Sequence, residues 1–188
     1  MIISLTGFMG CGKSSVGRRL SELLCCPFID LDEAIVESAG RSIPEIFASE
    51  GEEAFRKMER EVLRRMVRKC QFRTSVSSPE DNMHRSNNTT PSLVLALGGG
   101  AVMTKECAEI VKEQTCCIYL KASIETLMEH LAGEADGRPM LKGDTLLERI
   151  ETLMEERAET YEKTAHIIID TDGKSIEDIA SEISSRLS

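Results

Sequence analysis

The sequence predicts an α/β fold: three layers, with a parallel sheet covered on both faces by helices. Three observations carry that prediction. Short, almost continuous apolar runs recur along the chain. Segments with helical apolar spacing separate them. The first run ends directly in a glycine-rich motif that opens a helix. A strand without polar alternation must be buried on both faces, which is the habit of parallel sheets. Ligands in such folds bind beyond the carboxyl ends of the strands, where strand order reverses.

Each element follows in order. Ile2–Leu5 is the first apolar run, and Ser14–Leu24 carries Val16, Leu20, Leu23 and Leu24 at helical spacing. Pro27–Asp30 is a second short run. Ser42 and Glu45 form a capping box that opens a helix. Phe55, Met58, Val62 and Met66 mark one face of another. Leu93–Leu97 runs into three glycines, and Cys116–Leu120 is the next strand. Ser123 caps a helix with Glu125 in its first turn. Thr145 and Glu148 form a further capping box. His166–Asp170 is the last run, and Ser175 caps a closing helix whose inner face is Ile176, Ile179, Ile183 and Leu187.

One segment departs from this alternation. Of the 22 residues Gln71–Ser92, 11 are Ser, Thr or Asn and two are Pro, so the segment is expected to be a mobile polar surface loop. The chain, at 188 residues, suits one domain with a substantial core. A net charge of −9 argues against a nucleic-acid-coating role. No apolar run approaches the roughly 18 residues of a membrane span. The first ten residues have no basic stretch and already enter the glycine motif, which argues against a cleavable signal. Seven cysteines, without a C-x-x-C spacing, read as reduced thiols of a cytoplasmic protein acting as small hydrophobes. The three scattered histidines are given no metal role.

Gly7–Ser14 (GFMGCGKS) fits G-x-x-x-x-G-K-[ST] in full, between a strand and a helix. Such a loop turns successive backbone N–H groups onto phosphate oxygens, and the following helix adds its positive end. Lys13 is expected to reach the β- and γ-phosphates of ATP, and Ser14 to offer its hydroxyl to Mg²⁺. Gly10, Cys11, Gly12, Lys13, Ser14 and Ser15 are the expected nucleotide contacts, with the Cys11 thiol chemically incidental.

Four further features point to the acceptor. Asp30 and Asp32 are alternate residues at a strand end and can face one cleft. One can order the water around the metal, and the other can take the proton of an attacking hydroxyl. Arg56 and Glu59 stand three apart on a helix, so the carboxylate can hold the guanidinium. Gly98, Gly99 and Gly100 follow a buried strand, and three glycines in a row imply that backbone comes close to something. Arg138, among glycines 133, 137 and 143, reads as a flap cation. Arg157 lies on a helix four residues before Tyr161. Arginine suits two-point recognition of a carboxylate or phosphate.

Taken in order, these residues resemble the shikimate kinase family over nearly the whole chain. The matching pieces are Gly7–Ser14, Asp30–Asp32, Gly40–Ile43 (GRSI), Ile46–Phe47 and Gly51–Glu59 (GEEAFRKME). They continue with Leu97–Val102 (LGGGAV), Arg138–Pro139 and Arg157–Tyr161 (RAETY). The resemblance implies transfer of the γ-phosphate of ATP to the 3-hydroxyl of shikimate, on the route to aromatic amino acids. It implies a sheet of order 2-3-1-4-5, similar to nucleoside monophosphate kinases. One domain, 1–188, would hold an acceptor-binding segment at about 31–60, the polar insertion at about 71–92 and a lid at about 131–144. Asp32 would be the catalytic base, with Lys13 and Arg138 stabilising charge. Asp30 and Ser14 would serve Mg²⁺. Asp32, Arg56, Gly99 and Arg157 would bind shikimate, and Arg138 would also meet the ATP phosphates. The expected state is a cytoplasmic monomer with no nucleic-acid or membrane partner.

The polar insertion is longer than the family's usual link, and Asp170–Lys174 does not match an adenine-contacting pattern. Two other functions compete. One is a kinase of the same fold acting on gluconate or a nucleotide. The other is a P-loop protein without catalysis, whose nucleotide state gates a partner.

Overall fold

A computed structural model of the chain describes residues 1–75, 91–131 and 146–187. Among these residues five strands form one sheet: β1 (Ile2–Thr6), β2 (Phe28–Asp30), β3 (Leu93–Ala96), β4 (Cys116–Lys121) and β5 (Ile167–Asp170). Their order is β2-β3-β1-β4-β5, and every pairing is parallel. Both the parallel sheet and the order implied by the resemblance are therefore present. The register pairs Ile3 with Val94 on one side and with Cys116 on the other.

Among the described residues, seven α-helices cover the sheet: α1 (Lys13–Leu23), α2 (Leu31–Ala39), α3 (Ile43–Ser75), α4 (Lys105–Gln114), α5 (Ile124–Leu131), α6 (Leu146–Thr164) and α7 (Ile176–Leu187). Alternate strand residues enter opposite cores, as the period-2 pleat requires. Leu93, Leu95, Cys117 and Tyr119 pack with α2, α3 and α4 on one face. Ile3, Leu5, Val94, Ile118 and Leu120 pack with α1, α5 and α7 on the other. Gly17 lets α1 close on the sheet, since a Cβ there would lie 2.5 Å from the Phe28 ring.

The caps at Ser42, Ser123 and Ser175 form. Ser42 Oγ lies 3.4 Å from the Glu45 N–H, and the Ser42 N–H returns a bond to Glu45 at 2.8 Å. Ser123 accepts from Thr126 N–H at 3.2 Å, and Ser175 from Asp178 N–H at 3.1 Å. Thr145, of the remaining capping box, lies outside the described residues, as does the lid apart from Leu131.

Two expectations need correction. The polar segment does not begin as a loop: Gln71–Ser75 continue α3. Once a helix is propagating, each added residue costs little, so the last residues of α3 can include Thr74 and Ser75. The two helices expected within Ile43–Ser75 are both present, and they meet at Gly51, whose φ of 82° breaks the helical path in one residue. Ile176 does not join the inner face of α7. It is the first helical residue and 47 % exposed, while Ile179 and Ile183 are buried. The expectation of seven free thiols holds. Burial pushes Cys117 up to about 12 and raises Cys26, Cys107 and Cys116 as well, so these thiols stay protonated and inert.

Candidate active site

The site lies at the carboxyl ends of β1, β2 and β3, beside the point where strand order reverses. Three turns build it. After β1, Gly10 and Gly12 adopt positive φ (82° and 89°), which curls the loop before α1. Lys13 folds back into that curl, donating to the carbonyls of Gly7 at 3.0 Å and Phe8 at 2.8 Å. Its Nζ also lies 3.9 Å from Cys11 Sγ. His130, at the end of α5, places Nδ1 2.7 Å from the Gly10 carbonyl oxygen, so that nitrogen carries the proton.

After β2 the chain enters α2 with no connecting residues, which changes how the two aspartates meet the cleft. They are not alternate residues of a strand. Asp30 ends β2 and caps α2, its Oδ1 accepting the Asp32 N–H at 3.0 Å. Asp32 is the second residue of the helix. The other oxygen of Asp30 accepts from Ser14 Oγ at 2.6 Å, so cap and phosphate loop are joined through one carboxylate.

After β3 come the three glycines. A Cβ on Gly98 would lie 2.6 Å from Asp32 Oδ1 and 3.3 Å from Glu59 Oε1. One on Gly100 would lie 2.6 Å from an Arg56 guanidinium nitrogen. Neither has a positive φ, so close approach is the reason for both. Gly98→Ala is expected to displace Asp32 and lower turnover about 100-fold, the cost of a misplacement near 1 Å. Saturating steady-state assays alongside a melt check this: the rate falls while Tm stays near wild type.

Arg56 and Glu59 make the expected pair at 2.9 Å, and Glu52 adds a second carboxylate at 3.2 Å. The pair is not a solvated surface contact, because Glu59 is only 1 % exposed. Burial pushes the Glu59 carboxyl above its usual range. Arg56 opposes that shift, and Asp32 adds repulsion in its favour. Burial also disfavours the Arg56 charge, but Glu59 and Glu52 outweigh it and hold the guanidinium above its ordinary value. Arg157, on α6, is 7 % exposed.

Two adjoining cavities result. The first, about 810 Å³, is lined by Gly10 to Ser15, Asp30, Asp32 and Gly99, and continues to Thr171, Lys174, Ser175 and Ile176. The second, about 430 Å³, is lined by Asp32, Arg56, Glu59, the three glycines and Arg157 against a wall of Ile43, Pro44, Phe47 and Phe55. Met9, Asp32 and Gly99 line both. Every expected site residue lines one or the other except Arg138, which lies outside the described residues. Sequence reasoning missed the apolar wall and left the stretch Thr171–Ile176 without a role. The second was signalled by its place just beyond the carboxyl end of β5.

Ser14 and Asp30 present only hard oxygen donors, a set that suits Mg²⁺ held through one or two protein oxygens and substrate phosphates. Among the described residues no group of three or more His, Cys, Asp or Glu is placed to hold a metal. No helix among them is long and apolar enough to cross a membrane.

A phosphate loop opening onto a second cavity, with a carboxylate at the boundary, defines a P-loop phosphotransferase similar in fold to nucleoside monophosphate kinases. Comparison with known proteins narrows the class. The family model described as shikimate kinase matches residues 9–78 and 71–188, two stretches that overlap in the first part of the polar segment. The shikimate kinase of Thermus thermophilus is 41% identical over 185 residues, covering 98% of this chain and 89% of that protein. Among solved structures, shikimate kinase from Acinetobacter baumannii in complex with shikimate superimposes with a TM-score of 0.83 at 31% identity, covering 99% of this chain and 92% of that one. The enzyme from Aquifex aeolicus gives 0.75 at 32% identity, covering 100% and 96%. The chain belongs to the shikimate kinase family; it is a kinase with ATP as its co-substrate.

Proposed function

We propose that the chain transfers the γ-phosphate of ATP to the 3-hydroxyl of shikimate, giving shikimate 3-phosphate and ADP. The observation that supports this most directly is the position of Asp32, which lines both the phosphate-loop cleft and the arginine-bearing cavity. In this reading the acceptor oxygen bonds to the γ-phosphorus as the bond to the β,γ-bridging oxygen breaks. The hydroxyl proton passes to the Asp32 carboxylate. Arg56 and Arg157 bind the shikimate carboxylate, Gly99 supplies a backbone contact, and the apolar wall packs the ring. Lys13 and the loop N–H groups hold the phosphates, with Arg138 as the lid's cation. Mg²⁺, held by Ser14 and Asp30, would neutralise phosphate charge. Ser15 and the Gly10–Gly12 backbone complete the nucleotide contacts.

The fold is read as one domain, with the acceptor segment at about 31–60 and the lid at about 131–144. The protein is read as a cytoplasmic monomer without nucleic-acid or membrane partners. The acceptor is tested by ADP release with ATP and Mg²⁺ against shikimate, gluconate and nucleoside monophosphates. Release is expected with shikimate alone. Rates equal to the ATP-only blank, or a faster rate with gluconate, would overturn the assignment.

A further inference from the structure

Between Arg157 and the glycine turn lies a group that the chemistry above does not use, the hydroxyl of Tyr161. This residue sits one helical turn beyond Arg157 in α6, so the two side chains share a face. Its ring is fully buried in the core of the α2, α3 and α4 face, and stacks on Tyr119 with centroids 5.2 Å apart at 27°. The hydroxyl donates to the Gly99 carbonyl. Arg157 stands one turn away on the same helix, and its guanidinium charge opposes the rise that burial imposes on this phenol. A phenol has one proton to give and lone pairs to receive, so one atom can serve both partners.

Both partners line the acceptor cavity; Tyr161 does not. A planar peptide cannot turn at one end alone, so a bond to the Gly99 carbonyl also sets the direction of the Gly100 N–H. The glycine turn is in contact on its other side as well: a Cβ on Gly99 would lie 3.2 Å from the Met9 amide. A tyrosine needed only to fill space would need no such bond, and phenylalanine would serve as well.

We infer that Tyr161 is a positioning residue whose hydroxyl couples Arg157 to the Gly98–Gly100 turn, so that the two acceptor contacts are preorganised as one unit. The inference rests on the acceptor reading above. It implies that Tyr161 acts on the acceptor and not on ATP, and that it acts through Arg157.

The test is a double-mutant cycle on the full chain, with Tyr161→Phe, Arg157→Ala and the double variant. ADP release is measured at varied shikimate and varied ATP, and each protein is melted. Tyr161→Phe is expected to raise KM for shikimate about 10-fold, in keeping with loss of one neutral hydrogen bond. KM for ATP and Tm should stay near wild type. Arg157→Ala should raise KM for shikimate roughly 30- to 1000-fold, as loss of a desolvated charged contact implies. Adding Tyr161→Phe to it should cost less than about 2-fold further, the mark of two groups acting as one. Arg157→Lys, which keeps a charge but not the planar fork, reads the same coupling from its other end and should also raise KM for shikimate alone.

An unchanged KM for shikimate in Tyr161→Phe would overturn the inference. So would an equal effect in both backgrounds, or a parallel rise in both KM values with a fall in Tm. Failure of the acceptor reading looks different: the wild-type protein itself would show no shikimate-dependent ADP release, and the inference would fall with it.

Discussion

Asp32→Asn is expected to lower kcat by about 10³-fold while the protein keeps its fold and its affinity for shikimate. General base catalysis contributes roughly 10²- to 10⁴-fold, and an amide of the same shape cannot take the proton. The substitution isolates that role because the backbone of residue 32 is held independently, by the Asp30 side chain at 3.0 Å. The nearby Gly98 leaves the new amide no worse packed than the carboxylate. Its electrostatic effect on Glu59 is also favourable. The Asp32 charge is one of the groups raising the Glu59 carboxyl, so removing it relieves repulsion and does not weaken the Arg56–Glu59 pair. The experiment is steady-state turnover beside calorimetric titration with shikimate. A variant that turns over within 10-fold of wild type would remove Asp32 from the chemistry. A loss of binding that matched the loss of rate would make it a binding group only.

How much of this site was legible depended on the sequence distance over which each feature is built. The phosphate loop is one continuous segment whose glycines, lysine and serine act at fixed spacing, so the motif gave the geometry. The glycines 98–100 were legible by a weaker argument, close approach, and the neighbours they admit are Asp32 and Arg56, from two other elements. Asp30 and Asp32 show the limit. Both residues were identified, but extended-strand alternation was the wrong reason, because β2 is only three residues long and its last residue already caps α2. The same brevity hid α2 itself. The deep burial of Glu59 and the bond from Tyr161 to Gly99 arise from packing between segments far apart in sequence, and no local spacing carries them. Ile176 was misplaced for a related reason. Helical periodicity assigns a face, but the first residue of a helix projects past the surface that face packs on, and here it edges the nucleotide cleft.

Lys13→Ala is expected to lower kcat/KM for ATP by about 10³-fold or more. Loss of one preorganised electrostatic donor typically costs roughly 10²- to 10³-fold, and this donor carries a full charge. Lys13 also has a second task. It is largely buried, and it binds the carbonyls of Gly7 and Phe8, which form the near side of the loop. Alanine therefore removes the phosphate cation and leaves two carbonyls without their partner, so the loop's curl is at stake as well as its charge. Lys13→Met separates the two effects in part, since it keeps the apolar stem and loses only the ammonium. If the charge dominates, both variants lose turnover to the same extent and α1, which packs through Val16 and Leu20, keeps the melting temperature near wild type. If the scaffold role dominates, Lys13→Met retains appreciably more activity than Lys13→Ala, and the alanine variant melts earlier. Turnover of either variant within 10-fold of wild type would contradict both roles, because then neither the loop's shape nor its cation would be needed to hold the triphosphate against the acceptor.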